Sequence, residues 1–100
     1  MEKNLIGKKV IVRAEKAGVF YGTLINKNNL EVQLKNTRKL FYWSGAAAIE
    51  QIALEGVKNP SKCKFTVVNK EQTISNYIQI IKCTIKASKN IENVPVWKIY

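Results

Sequence analysis

The sequence predicts an α+β domain: a small, strongly twisted antiparallel sheet, an SH3-like meander, with one central helix and a short C-terminal helical turn. Three observations carry this fold class. Residues 8–43 hold short alternations of apolar and polar side chains separated by Gly- and Asn-containing turns. The stretch 45–55 switches to helical spacing, and strand-like alternation returns after Asn59-Pro60-Ser61.

In the first strand Val10 and Val12 alternate with Ile11 and Arg13. Glu15-Lys16-Ala17-Gly18 supplies a turn into a strand over 19–25, and the polar cluster Asn26-Lys27-Asn28-Asn29 closes a second hairpin. Leu30, Val32 and Leu34 alternate with Glu31, Gln33 and Lys35, the pattern of an antiparallel strand with one wet face. A turn at Asn36 leads into a fourth strand over 37–43. Ser44 is placed to cap a helix from about Gly45 to Glu55, in which Ile49, Ile52, Ala53 and Gly56 recur at helical spacing and Gly56 provides the stop. Cys63, Phe65 and Val67 then alternate with Lys62, Lys64 and Thr66. A longer strand spans 72–83, with a bulge expected near Ser75-Asn76, where its apolar pattern breaks. Thr84 can cap a helical turn through Ala87 and Ile91, and Val94-Pro95-Val96-Trp97 runs out extended.

A chain of 100 residues without linker, repeat or low-complexity tract reads as a single domain over 1–100. No apolar run approaches the roughly 20 residues of a membrane span, and Met1-Glu2-Lys3-Asn4 offers no apolar leader, so no membrane partner is expected and the cytoplasm is the expected compartment. There is no His and no Asp; the seven acids are all Glu. Most hydrolytic triads, histidine metal sites and acid–base pairs therefore lack their parts. Cys63 and Cys83, with no His to join them, make a poor metal site and read as small buried apolar residues. A binding protein is expected, without enzymatic activity, metal or cofactor.

The net charge of +10 attracts phosphate, as nucleic acid, a nucleotide or an acidic partner, although lysine-rich composition alone gives the same excess. Only Arg13 and Arg38 among the seventeen cations carry the planar fork that grips phosphate bidentately. The densest signal is the run from Arg38 to Ala48. Strand alternation puts Arg38, Leu40 and Tyr42 on one face and Lys39, Phe41 and Trp43 on the other, so each face pairs a cation with aromatic surface. That pairing suits a base stacked on a ring with its phosphate held by the cation. Ser44, Gly45, Ala46 and Ala47, at the start of the expected helix, would present free backbone N–H groups to an anion. Tyr21 stands beside Gly22, whose place inside a strand marks a bulge or a close approach. The candidate ligand-binding set is thus Arg13, Tyr21, Arg38, Tyr42, Trp43, Ser44, Gly45, Ala46 and Ala47, with Arg38 expected to be exposed and to add little to stability. Phe20 reads as core rather than contact, Phe41 and Trp43 read also as core, Trp97 as a tail residue pinned to the domain or to a neighbouring subunit, and Lys58, Lys62, Lys64, Lys82, Lys86 and Lys89 as solvated surface.

The run Leu40-Phe41-Tyr42-Trp43-Ser44-Gly45-Ala46-Ala47, with Gly56-Val57, Cys63-Lys64-Phe65, Ile80-Ile81-Lys82-Cys83-Thr84 and Ile91-Glu92-Asn93-Val94-Pro95-Val96-Trp97, resembles a family of small tailed-phage and prophage proteins of unknown function. The resemblance implies a viral origin and a stand-alone protein acting in the host cytoplasm, and it brings no established site. The chemistry of the residues then suggests a non-enzymatic anti-defence protein that sequesters a small nucleotide-derived immune signal, of the cyclic nucleotide or cyclic ADP-ribose type. Such a pocket in so small a domain would borrow residues from a second subunit, so a homo-oligomer is expected. The alternatives are a basic nucleic-acid-binding protein or a protein inhibitor of a host nuclease.

Overall fold

Strand β1, Lys9–Ala14, carries the run Val10-Ile11-Val12, and all three side chains are buried because both faces of the strand are covered. In this computed structural model, which describes residues 4–100, β1 pairs antiparallel with β2 (Gly18–Lys27), and β2 with β3 (Glu31–Tyr42). Residues 1–3, the start of the stretch read for a leader, lie outside the described residues. The helix α1, Ile49–Glu55, follows, then a 3-10 turn over Pro60–Lys62 and the short β4, Lys64–Phe65. Strands β5 (Asn69–Ser75) and β6 (Tyr77–Lys82) precede helix α2, Ile85–Asn93.

The six-stranded sheet has the order β4-β3-β2-β1-β6, with β5 alongside β3. Asn76 alone separates β5 from β6, so one kinked segment pairs with β3 through its first half and with β1 through its second. The kink falls where a bulge was expected, at a residue with φ of 58°. Inside this ring of pairings lie Val10, Val12, Ala14, Phe20, Leu24, Val32, Leu34 and Ile74. A second core forms on the outer face, where Ile11, Tyr21 and Leu40 meet Ile49, Ile52 and Ala53 of α1, Phe65 of β4 and Ile91 of α2. Cys63 and Cys83 are buried and unpaired in that second core.

Several expected elements are redrawn. Asn36 is not a turn between two strands but a bulge inside one: Tyr21 faces Arg38 and Thr23 faces Lys35, so β3 spends one residue more than β2 over that interval, with Asn36 at φ 53°. The extra residue shifts the inward positions from Val32 and Leu34 to Thr37 and Arg38. Leu30 is exposed because Asn28 folds the preceding turn, its Oδ1 accepting from the N–H groups of Leu30 and Glu31. Gly22 meets a close approach, since a Cβ there would sit 3.1 Å from the Lys35 carbonyl oxygen. The C-terminal turn is a full nine-residue helix, capped as expected by Thr84, whose Oγ1 accepts from Ala87 N–H at 3.0 Å.

The largest correction concerns the central helix. It begins at Ile49, not Gly45, and its N-cap is Ala48 with no side-chain bond; Ser44 does not cap it. Gly45 adopts φ 93°, and its carbonyl and that of Ser44 accept from Lys58 and Asn59 N–H, so 44–45 are tied to 58–59 instead. A Cβ on Gly45 would lie 2.6 Å from the Lys58 nitrogen, which requires glycine on both steric and conformational grounds. The helix ends at Gly56 as expected, its N–H bonding to the Ile52 carbonyl. Asn90 of α2 clasps the next residue, its Oδ1 accepting from Val57 N–H and its Nδ2–H donating to the Val57 carbonyl.

Candidate functional site

Arg38 is the residue on which sequence and structure differ most. Expected at the surface, it is 2% exposed, carried inward by the bulge that precedes it. Its guanidinium presents five N–H groups, and each has a carbonyl. Nε donates to Thr66 at 2.8 Å, one terminal nitrogen to Ile91 and Val94 at 2.8 and 2.9 Å, and the other to Phe65 and Pro95 at 3.1 and 3.3 Å. Its carbon stands 5.6 Å from the centre of the Phe65 ring. Burial lowers its pKa from the ordinary arginine value, but the acceptors favour the cation, and two of them belong to the C-terminal end of α2, where the helix dipole is negative. No donor remains for a phosphate. Arg38 ties β3 to β4, to the end of α2 and to the chain beyond it.

The other expected site residues do not converge. Arg13 is exposed at the far end of β1 from Lys9, facing Val19 and Gln79, and its charge acts on Glu50. Tyr42 is exposed, whereas Trp43 is half-buried against the outer core. Ser44, Gly45, Ala46 and Ala47 form a loop rather than a helix start; Ser44 N–H donates to the Cys63 sulfur and Ala47 N–H to Gln51 Oε1. The free N–H array expected there is absent because these residues lack helical geometry. Tyr21 is buried, with its hydroxyl donating to Glu92 Oε2.

Glu92 receives a second donor, Lys9 Nζ, at 2.7 Å. Burial pushes its carboxyl up, but the bonds from Lys9 and Tyr21 and the Lys9 charge outweigh that and hold it below the usual carboxylate value. The Tyr21 hydroxyl is pushed well above its ordinary range by burial first and by its bond to Glu92 second. Burial, reinforced by the Glu92 charge, raises the Cys83 thiol to about 12, so it is not a reactive thiolate.

Around this group the surface opens into a basic groove that sequence reasoning missed. A depression of about 430 Å³ is lined by Lys8, Lys9, Lys82 and Lys89 with Ser88 and Glu92. It shares Lys9 and Glu92 with one of about 240 Å³ that passes Tyr21, Asn36 and Arg38 to Val68. The neighbouring Val67 and Thr66 line a third, of about 340 Å³, bounded by Trp97, Lys98 and Ile99. These lysines come from the start of β1, the end of β6 and α2, so only the pairing of β1 with β6 and the return of α2 assemble them.

At the Trp97 end the surface is aromatic. Phe41 stacks on Trp97 with centroids 5.1 Å apart and planes at 19°, yet the two remain 57% and 45% exposed. Lys64 Nζ sits 5.5 Å from the Trp97 ring centre and 6.0 Å from that of Tyr42. Trp97 is placed by its N–H bond to the Phe65 carbonyl at 2.9 Å and by a parallel bridge between Val96 and Phe65. Of the two fates expected for Trp97, the structure supplies the first: it is pinned to its own domain.

Fold and surface together define a small basic α+β domain that carries a lysine-lined groove and an exposed aromatic cluster. Among the described residues no group of potential ligands could hold a metal ion, and no helix is long and apolar enough to cross a membrane. The chain belongs to a family of domains of unknown function, DUF6948, whose model matches residues 7–91 and so takes in every strand and α1. No curated protein and no solved structure matches the chain.

Proposed function

We propose that this is a phage-encoded, non-enzymatic protein that binds single-stranded nucleic acid along the track from the lysine groove to Trp97. We read its sheet as an SH3-like half-barrel, with the kinked β5–β6 segment bridging the ends of the meander. The observation that supports the binding function is a succession of depressions: four lysines line the first, the second shares Lys9 and Glu92 with it and reaches Val68, and the adjacent Val67 lines a third beside Trp97, whose ring has its own lysine. A single strand needs a cationic path for its phosphates and rings for its bases, and base stacking is tolerant of sequence. A smaller ligand is the second reading. The depression of about 430 Å³ falls in the usual range for ligand pockets, and it could hold a nucleotide-derived immune signal with a second copy of the chain closing it.

Fluorescence anisotropy with labelled single-stranded DNA, single-stranded RNA and duplex, across ionic strength, tests this. Affinity for single strands falls linearly on a log–log plot against salt, with a slope of about 0.7 for each phosphate neutralised. Lys82→Gln with Lys89→Gln reduces that slope by about 1.4. Absence of binding to any polymer at low salt overturns the proposal. Thermal stabilisation by a cyclic dinucleotide or an ADP-ribose derivative, without polymer binding, selects the second reading.

A further inference from the structure

The aromatic end of the track belongs to the C-terminal segment, and that segment has little of its own to hold it. Beyond α2 the chain is extended, Val96 meets Phe65 in a one-residue bridge, and Ile99 and Tyr100 are almost fully exposed. A bridge of that length is weak, because a single pairing fixes few residues against the freedom of a terminus. Besides the buried Val94 and the Trp97 N–H bond to Phe65, the segment is tied down by Arg38, which donates to Val94 and Pro95 at one side and to Phe65 and Thr66 at the other.

Resting on the nucleic-acid reading, we propose that Arg38 is the positioning residue of the Trp97 platform: a buried latch whose five donors are all held by carbonyls, leaving none to grip a phosphate, and which sets whether Trp97 and Phe41 stand together to receive a base. The dependence runs both ways. The guanidinium has no carboxylate among its hydrogen-bond partners, and its charge is solvated by carbonyls that converge only when the segment is docked. If the segment leaves, Arg38 loses its Val94 and Pro95 acceptors; if Arg38 is shortened, those carbonyls lose their donor. Trp97 is coupled to the same centre, since its own N–H shares the Phe65 carbonyl with Arg38. By linkage, a strand stacked on Trp97 tightens the latch by the factor that the latch gives to binding. Lysine cannot replace arginine here, because one ammonium cannot reach carbonyls on both sides of a planar fork.

The test compares the parent with Arg38→Lys and Trp97→Pro, each as the full chain. Amide hydrogen exchange is followed at Trp97 and, as an internal reference, at Ile11 in β1. In Arg38→Lys the Trp97 amide exchanges at least about tenfold faster while Ile11 is unchanged, and affinity for a fluorescein-labelled oligothymidylate falls about tenfold, the scale of one lost stacking contact. Adding Trp97→Ala to Arg38→Lys gives no further loss. Trp97→Pro deletes the N–H bonded to Phe65 and leaves Arg38 in place; there the Arg38 guanidinium protons exchange faster than in the parent. That arm decides the matter if Arg38→Lys does not fold. Unchanged Trp97 protection in Arg38→Lys, or unchanged guanidinium exchange in Trp97→Pro, overturns the latch. Failure of the parent to bind oligothymidylate overturns only the nucleic-acid reading, because the exchange measurements stand without a ligand.

Discussion

Replacing Arg38 by Met keeps an unbranched apolar stem and removes the five donors. Two of the five carbonyls keep another partner: Ile91 accepts from Val94 N–H, and Phe65 from Trp97 N–H. Thr66, Val94 and Pro95 lose their guanidinium donor, and a polar group left unpaired in a buried place costs about 1–3 kcal/mol. Three such groups give about 3–9 kcal/mol. Pro95 is exposed and Thr66 partly so, so water replaces part of the loss, and the variant also escapes the cost of burying a charge. The expected destabilisation is therefore about 3–5 kcal/mol, a large share of the roughly 5–15 kcal/mol that holds a domain of this size together. At about 4–8 °C per kcal/mol, the melting temperature falls by at least about 12 °C. Urea denaturation followed by circular dichroism measures it, with the slope on denaturant unchanged if the unfolded state is the same. A loss below about 1 kcal/mol would refute the reasoning, because it would mean that the carbonyl cage is solvated as well by water as by the guanidinium.

Two further outcomes follow from the same structure. Gly45→Ala places a Cβ 2.6 Å from the Lys58 nitrogen at a residue with φ 93°, so it lowers stability by about 2–3 kcal/mol in the same assay; a neutral result contradicts the pairing of 44–45 with 58–59. Glu92 has a folded-state pKa below its unfolded one, so its contribution is present above the ordinary value of 4.5 and is lost as pH falls through the depressed folded value. The stability gap between parent and Glu92→Gln consequently narrows as pH falls below the ordinary value of 4.5 and through the depressed folded value, and a gap that stays constant on acidification contradicts the Lys9–Glu92–Tyr21 cluster.

Local chemistry was legible along the chain. Alternation at Val10–Val12 and Val32–Leu34, the stop at Gly56, the cap at Thr84 and the break near Asn76 all depend on neighbours a few residues away, and all are where the sequence puts them. The start of α1 was misread because small residues at 45–48 satisfy helical spacing as well as they satisfy a loop. Gly45 is drawn out of the helix by Lys58 and Asn59, which no local pattern announces. The basic groove was illegible for a similar reason, since Lys8, Lys9, Lys82 and Lys89 are ordinary surface lysines until β6 pairs with β1.

By itself the sequence determined the class of fold, through side-chain periodicity, and removed histidine and aspartate chemistry, through composition. Only the tertiary structure decided what Arg38 is for. A guanidinium near the surface is a phosphate grip, and the same group inside is a cross-link, and nothing within a few residues of Arg38 distinguishes the two. The distinction is made by carbonyls 27 to 57 residues further along the chain, which a one-residue bulge at Asn36 turns it inward to meet.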